Sequence, residues 1–113
     1  MSAIAALYNV PSTPEELNEW AFAHAAHHAD IIRVLYQKLG VNLDQYVLDP
    51  IPKESTGVWV YQHQIMHQQM DALLGIDGND LSDVDFRDPN ELAGWIYLNS
   101  SEHFQASNIL GIG

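Results

Sequence analysis

The chain has 113 residues, no cysteine and a formal charge of −11, from four basic and fifteen acidic side chains. This length suits a single domain. The missing thiols exclude disulfides and thiolate metal sites, and the acidic balance disfavours nucleic acid and anionic membranes as partners.

The first segment, residues 1–12, predicts a mildly apolar N-terminal arm ahead of a repeat domain over residues 13–113. The opening MSAIAALYNV lacks the basic residues that begin a secretory signal. Such an arm would either dock on a neighbouring protein or fray. No apolar run further along the chain is long enough to span a bilayer.

Three later segments share one register, which aligns Trp20, Trp59 and Trp95. Four and eight positions after each tryptophan stand His24, His63 and Asn99, then His28, His67 and His103. Apolar residues recur further along, at Ile31, Met70 and Ala106, at Val34, Leu73 and Ile109, and at Leu35, Leu74 and Leu110. At about 100° per residue, these positions fall within roughly 120° of a helix circumference. The pattern predicts three amphipathic helices whose buried faces carry indoles and imidazoles, in repeats of about 13–41, 55–76 and 88–112.

The ends of these helices are marked by capping residues. Thr13 and Asp88 each precede a proline and a glutamate, as in a capping box with proline in the first turn. The middle helix begins less clearly, near Ser55 or Thr56. Each helix meets a glycine at its end, where a left-handed cap is expected.

The linkers NLDQYVLDP and DLSDVDFRDP are related to each other and long enough to return the chain to its starting end. Their apolar side chains predict ordered loops that pack on the bundle, through Leu43, Tyr46, Leu48, Leu81, Val84 and Phe86. The predicted fold class is therefore all-α: a three-helix bundle of three helix–loop repeats about a pseudo-threefold axis, with long ordered loops.

A parallel bundle would stack the equivalent histidines into two adjacent layers inside the core. The favoured interpretation is a buried hydrogen-bond network that includes Asn99, because satisfied buried histidines are common and no carboxylate or cysteine ligand joins the set. The alternative is a site for zinc or another transition metal. Its ligands would be His28, His67, His103, His24 and His63. His27 lies at the edge of the stripe, where a partly exposed side chain is expected.

No catalytic set is recognisable, so the chain is not predicted to be an enzyme. A helical zinc peptidase needs a glutamate where this chain has Gln64. The acidic stretch from Asp77 to Asp85 fails the EF-hand pattern at Leu81, so turn and capping roles are expected there instead of calcium binding. The paired histidines resemble the DinB-like family of metal-dependent four-helix proteins, which supplies the alternative of a metal-dependent enzyme.

Four stretches carry a second resemblance: FAHAAHHADIIR, LDPIP, MDALLGIDGNDLSDVDFRDPNELAGWI and SEHFQASNILGI. Together they resemble a family of small proteins encoded among the virion genes of tailed bacteriophages. The resemblance implies a structural or accessory component of the virion, associated with the capsid, the head–tail junction or the tail, and assembled in the cytoplasm of the bacterial host. Its implied partners are other virion proteins, contacted in multiple symmetric copies, and no catalytic residues come with it.

Overall fold

The computed structural model describes residues 3–47 and 56–112, and within these ranges it contains helices and no strand. The helices are α1 (Ala3–Leu7), α2 (Pro14–Leu39), a short 3-10 helix (Asp44–Tyr46), α3 (Thr56–Leu74) and α4 (Pro89–Leu110). The all-α prediction is therefore confirmed. None of the described helices is both long and apolar enough to cross a membrane.

The predicted caps fix the ends of the long helices. The Thr13 side chain accepts a hydrogen bond from a backbone N–H in the first turn of α2, and Asp88 does the same for α4. These bonds satisfy amides that have no partner within the helix. Gly40, Gly75 and Gly111 have φ values of 68°, 69° and 73°, so each takes the left-handed conformation expected of a helix-ending glycine.

The N-terminal arm docks on its own chain. Helix α1 packs against α2 and α4 and buries the side chains of Ile4 and Leu7. The Leu7 carbonyl accepts hydrogen bonds from the Trp20 indole at 3.0 Å and from the Ser100 hydroxyl at 2.6 Å. These two bonds hold α1 over the tryptophan end of the core.

The three long helices run in the same direction. Trp20 contacts Trp95, and eight residues further along both helices His28 contacts His103. The offset between α2 and α4 stays constant along the contact, which happens only when two helices are parallel. Ring contacts at constant offset also join α3 to α4 and α2 to α3.

Two apolar clusters lie on either side of the histidines. One contains the three tryptophans with Leu7, Leu81, Leu92 and Ile96, and the other contains Ile31, Leu35, Met66, Met70, Ala106 and Leu110. The linkers contribute as predicted, because Leu43 and Leu81 are buried while Tyr46, Val84 and Phe86 pack partly against the clusters. Leu48 lies outside the described residues. The histidines therefore occupy a layer closed by apolar packing at both ends.

The predicted stripe is wrong at one of its positions. Leu73 and Ile109 are 39% and 52% exposed, although their equivalent in α2, Val34, is buried. Their position falls at the edge of the predicted arc and in the last turns of α3 and α4. Helical periodicity does not distinguish the edge of the stripe from its centre, whereas burial at the edge depends on the neighbouring elements.

Candidate metal centre

All five histidines predicted as metal ligands are buried and converge on one region of the core. His24 and His28 come from α2, His63 and His67 from α3, and His103 from α4. Each offers one ring nitrogen, and these five nitrogens lie within 4.8 Å of one another. The three helices are parallel, because their linkers are long enough to return the chain to the end at which each helix starts. This arrangement brings together side chains that are far apart in the sequence.

Three of the distances between these nitrogens are as short as the edges of a coordination polyhedron. His24 Nε2 lies 3.1 Å from His28 Nε2 and 3.2 Å from His63 Nε2. His28 Nε2 lies 3.1 Å from His103 Nε2. Metal–nitrogen bonds of about 2.0–2.1 Å place neighbouring ligand nitrogens roughly 2.9–3.4 Å apart in octahedral or tetrahedral geometry.

Hydrogen bonding alone satisfies this arrangement poorly. His24 Nε2 is within hydrogen-bonding distance of His28 Nε2, His63 Nε2 and the Asn99 side-chain oxygen, which is 3.2 Å away. A neutral imidazole nitrogen has either one hydrogen or one lone pair, so it pairs well with only one of these atoms. His67 Nε2 has no hydrogen-bond partner among the described residues. Several nitrogens therefore face each other without a matching donor or acceptor.

Electrostatics keep four of the five candidate ligands in the form that can bind a metal ion. Burial, reinforced by repulsion from neighbouring imidazoles, lowers the pKa of His24, His28, His63 and His103 well below 6.5. These imidazoles are consequently neutral at pH 7. A neutral imidazole keeps a lone pair free for coordination, whereas an imidazolium has none.

A buried carboxylate that the sequence did not predict supports one of the candidate ligands. Glu102 Oε1 accepts a hydrogen bond from His67 Nδ1 at 3.1 Å, which leaves Nε2 as the His67 nitrogen that could coordinate a metal ion. Glu102 Oε2 accepts from the backbone and side-chain nitrogens of Asn79 at 3.0 and 3.1 Å. The sequence alone predicts no carboxylate ligand and does not predict this carboxylate as a hydrogen-bond partner of His67. The one signal of Glu102 in the sequence is its position directly before His103.

Asp71 completes this carboxylate group. Burial and the neighbouring Glu102 raise the pKa of Asp71 to about 8. Burial also acts to raise the pKa of Glu102, but hydrogen bonds from His67 and Asp71 outweigh it and hold that pKa at about 2. Asp71 is thus protonated and donates to an ionised Glu102. A Cβ atom at Gly78 would lie 2.8 Å from the Asp71 carboxyl, so glycine lets the loop close over it.

His27 has a supporting position that the sequence analysis placed wrongly at an exposed rim. It is only 2% exposed. Its Nδ1 lies 2.6 Å from His103 Nδ1, and its Nε2 lies 2.8 Å from the Ser107 hydroxyl. These contacts hold the His103 ring with Nε2 directed toward the other histidines. The exposed rim was predicted from one helix alone, but α4 covers this side of α2.

The remaining motifs have structural roles. Gln64, at the position of a peptidase glutamate, accepts a hydrogen bond from the Leu81 backbone at 2.8 Å and so anchors the second linker. Asp80 and Asp85 accept bonds from Ser82 and Arg87 in their own loop, as expected of turn residues.

No protein-family model matches the chain, and neither a curated protein nor a solved structure is significantly similar to it. We therefore infer function from the chemistry of the buried side chains. The chain brings together five buried imidazoles, four of which are neutral at pH 7, an ionised carboxylate that accepts a hydrogen bond from the fifth, and further hydrogen bonds around them.

Glu102→Gln is expected to lower the affinity for a transition metal by about 10- to 100-fold, the usual effect of losing a carboxylate that orients a histidine ligand. Glutamine keeps the shape, but its amide group cannot accept from both His67 and Asn79. Competition with a coloured chelator measures the affinity. The control is Glu91→Gln on the exposed first turn of α4, which should bind like the wild type. Equal affinities for wild type and Glu102→Gln would contradict the orienting role.

Proposed function

We propose that the protein binds a transition-metal ion in its core. The ligands are His24, His28, His63, His67 and His103. The observation that carries the proposal is the approach of three pairs of Nε2 atoms to 3.1–3.2 Å inside a group of five buried imidazoles. Hydrogen bonding leaves His67 Nε2 without a partner among the described residues and gives His24 Nε2 three partners at once, whereas one cation would accept a lone pair from each imidazole.

The ligand set narrows the class of metal. Imidazole nitrogen suits zinc, copper, iron and nickel, whereas magnesium and calcium take oxygen ligands. Structural zinc sites have four ligands, and five nitrogens favour an ion that accepts five or six. The ionised Glu102 beside His67 adds a negative charge that offsets part of the charge of a divalent cation.

The proposed metal also explains the architecture. α2, α3 and α4 would form a three-helix bundle of helix–loop repeats, with the pseudo-threefold axis passing near the cation. The support is the constant offset of the ring contacts between these helices. A cation held by all three helices would link segments that otherwise meet through a polar layer.

Elemental analysis of protein purified without a histidine tag tests the proposal. We expect about one equivalent of a first-row transition metal, or one equivalent regained after chelation and refilling, because metal and folding are coupled in such sites. Less than about a tenth of an equivalent after refilling with zinc, iron, nickel, cobalt and copper in turn would refute metal binding.

A second proposal concerns the role of the folded protein: a structural or accessory component of a tailed-phage virion, without enzymatic activity, that contacts other virion proteins. The specific support is an exposed aromatic ring two positions after each repeat tryptophan. Phe22, Tyr61 and Tyr97 are 57%, 64% and 65% exposed. Aromatic side chains are enriched in protein interfaces, and their equivalent register suits a symmetric partner.

Mass spectrometry of purified phage particles tests the virion proposal. The protein should be present at a fixed ratio to the major capsid protein, and its absence from mature particles would refute the proposal. A variant with serine at positions 22, 61 and 97 should lose incorporation while keeping its metal content. Metal binding and virion assembly can therefore fail independently.

A further inference from the structure

A small cavity lies against the histidine cluster on the side where α2 faces α3. Its volume is about 40 Å³. The lining includes His24, His28, Ala25, Ala29, Ile32 and Trp59. Two proposed ligands therefore form part of its wall, and small or apolar side chains form most of the rest.

The lining reaches from the surface to the centre. Ala29 is exposed and Val47, which also borders the cavity, is 66% exposed, whereas His24 is buried. Ala25 and Ala29 lie one helical turn apart on α2. Larger side chains at these two positions would close the space, because protein interiors are otherwise close-packed.

The size and polarity of the cavity select a class of ligand. A water molecule needs about 10–15 Å³ of such volume, so the space accepts two or three water-sized groups. No lysine or arginine is among the described residues that line it, and the chain has a net charge of −11. Both features disfavour anions, whereas an uncharged diatomic molecule fits.

We propose that the cavity admits a small uncharged diatomic ligand to the metal. This inference rests on the proposed function. Five imidazoles fill five positions of an octahedral ion and leave the sixth for an exogenous ligand. His24 and His28 border both the cavity and the cluster, so a molecule in the cavity contacts two of the proposed ligands.

The test uses the full chain loaded anaerobically with Fe(II), and nitric oxide as the probe. Nitric oxide binds an Fe(II) ion that has an open position and produces a new visible absorption band and a half-integer-spin EPR signal. Both signals are expected at about one nitrosyl per iron. A protein that holds Fe(II) but forms no nitrosyl, or that holds another metal and rejects Fe(II), would overturn the inference and leave the proposed function standing. A protein that holds no metal would refute the proposed function itself.

Two variants distinguish entry of nitric oxide through the cavity from entry through the rest of the fold. Ala25→Leu should slow nitrosyl formation at least about tenfold with unchanged iron content, because the added carbons fill the space. Ala26→Leu, one position along the same helix and exposed, should react like the wild type. If Ala25→Leu loses iron, Ala25→Val gives the same comparison with less added volume. Equal rates for wild type and the iron-bound position-25 variant would overturn the inference.

Discussion

Replacing His28 with glutamine is expected to lower the affinity for the metal by about 10²- to 10³-fold. Structural zinc sites with four ligands bind with about 10–16 kcal/mol, which is about 2.5–4 kcal/mol for each ligand. His28 is a central member of the set, because its Nε2 lies 3.1 Å from both His24 Nε2 and His103 Nε2. Chelator competition at pH 7.5 measures the affinity.

His27→Gln is the matched control for His28→Gln. Both histidines are buried on α2 and adjacent in sequence, but the His27 nitrogens contact His103 Nδ1 and Ser107. The loss for His27→Gln should be no more than about tenfold, the lower end of the effect of an outer-shell partner. Equal affinities for His28→Gln and wild type would contradict the ligand assignment. Urea unfolding of both metal-free variants checks that each retains the fold.

The loss of the His28 imidazole should also reduce the thermal stabilisation by the metal. A metal ion present at about 1,000 times its dissociation constant stabilises the folded state by about 4 kcal/mol. For a domain of this size that corresponds to a rise in Tm on the order of 15 °C. The metal-induced rise should be much smaller for His28→Gln than for the wild type under the same conditions.

Much of the fold could be predicted because its signals are local. Thr13 and Asp88 cap the helices whose sequences follow them, and the glycines after α2, α3 and α4 take the conformation that ends a helix. The positions four and eight residues after each tryptophan also hold buried side chains, since the periodicity of one helix fixes which face they share.

The surroundings of the histidines could not be predicted in the same way. The bond between Glu102 and His67 joins α4 to α3, and the contact of His27 with His103 joins α2 to α4. Both depend on how each helix is rotated about its own axis relative to its neighbours. Helical periodicity fixes that rotation only to within one or two residue positions. Glu102 and His103 are one position apart, so periodicity does not show which of them faces His67.

The choice between a hydrogen-bond network and a metal site has the same origin. The sequence gives the number of imidazoles but not which nitrogen of each faces the others. The network was favoured on the assumption that each donor meets an acceptor. Three Nε2–Nε2 approaches and an unpartnered Nε2 on His67 make that assumption hard to meet, and they direct the proposal toward a cation.

Acid is expected to unfold the metal-free protein steeply below about pH 6.5. Burial lowers the folded-state pKa of His24, His28, His63 and His103 well below 6.5, the value of a free imidazole. The unfolded chain therefore binds four more protons at these sites once the pH is below 6.5, and each proton bound only by the unfolded state favours unfolding. The stabilisation is fully present above pH 6.5 and is lost as the pH falls from there toward the folded-state pKa values.

Asp71 acts in the opposite direction. Its folded-state pKa of about 8 lies above its ordinary value of 3.8, so the folded state holds one extra proton between these limits. Near pH 5 the unfolded state thus has a net excess of about three protons, and the free energy of unfolding should fall by about 4 kcal/mol per pH unit. Glu102, with a pKa of about 2, adds to the loss only below its ordinary value of 4.5.

Urea unfolding with a chelator present, at pH 7.5, 6.5, 5.5 and 4.5, measures this slope. Asp71→Asn is the informative control, because it removes the opposing proton and should steepen the loss near pH 5 to about 5–6 kcal/mol per pH unit. Metal-loaded protein should hold its stability to lower pH, since protons must then displace the cation from the same lone pairs. A domain of ordinary stability, about 5–15 kcal/mol, would then unfold without metal between about pH 6 and pH 4. A free energy of unfolding that stays flat between pH 7.5 and 5.5 would show that these imidazoles accept protons without leaving the folded core.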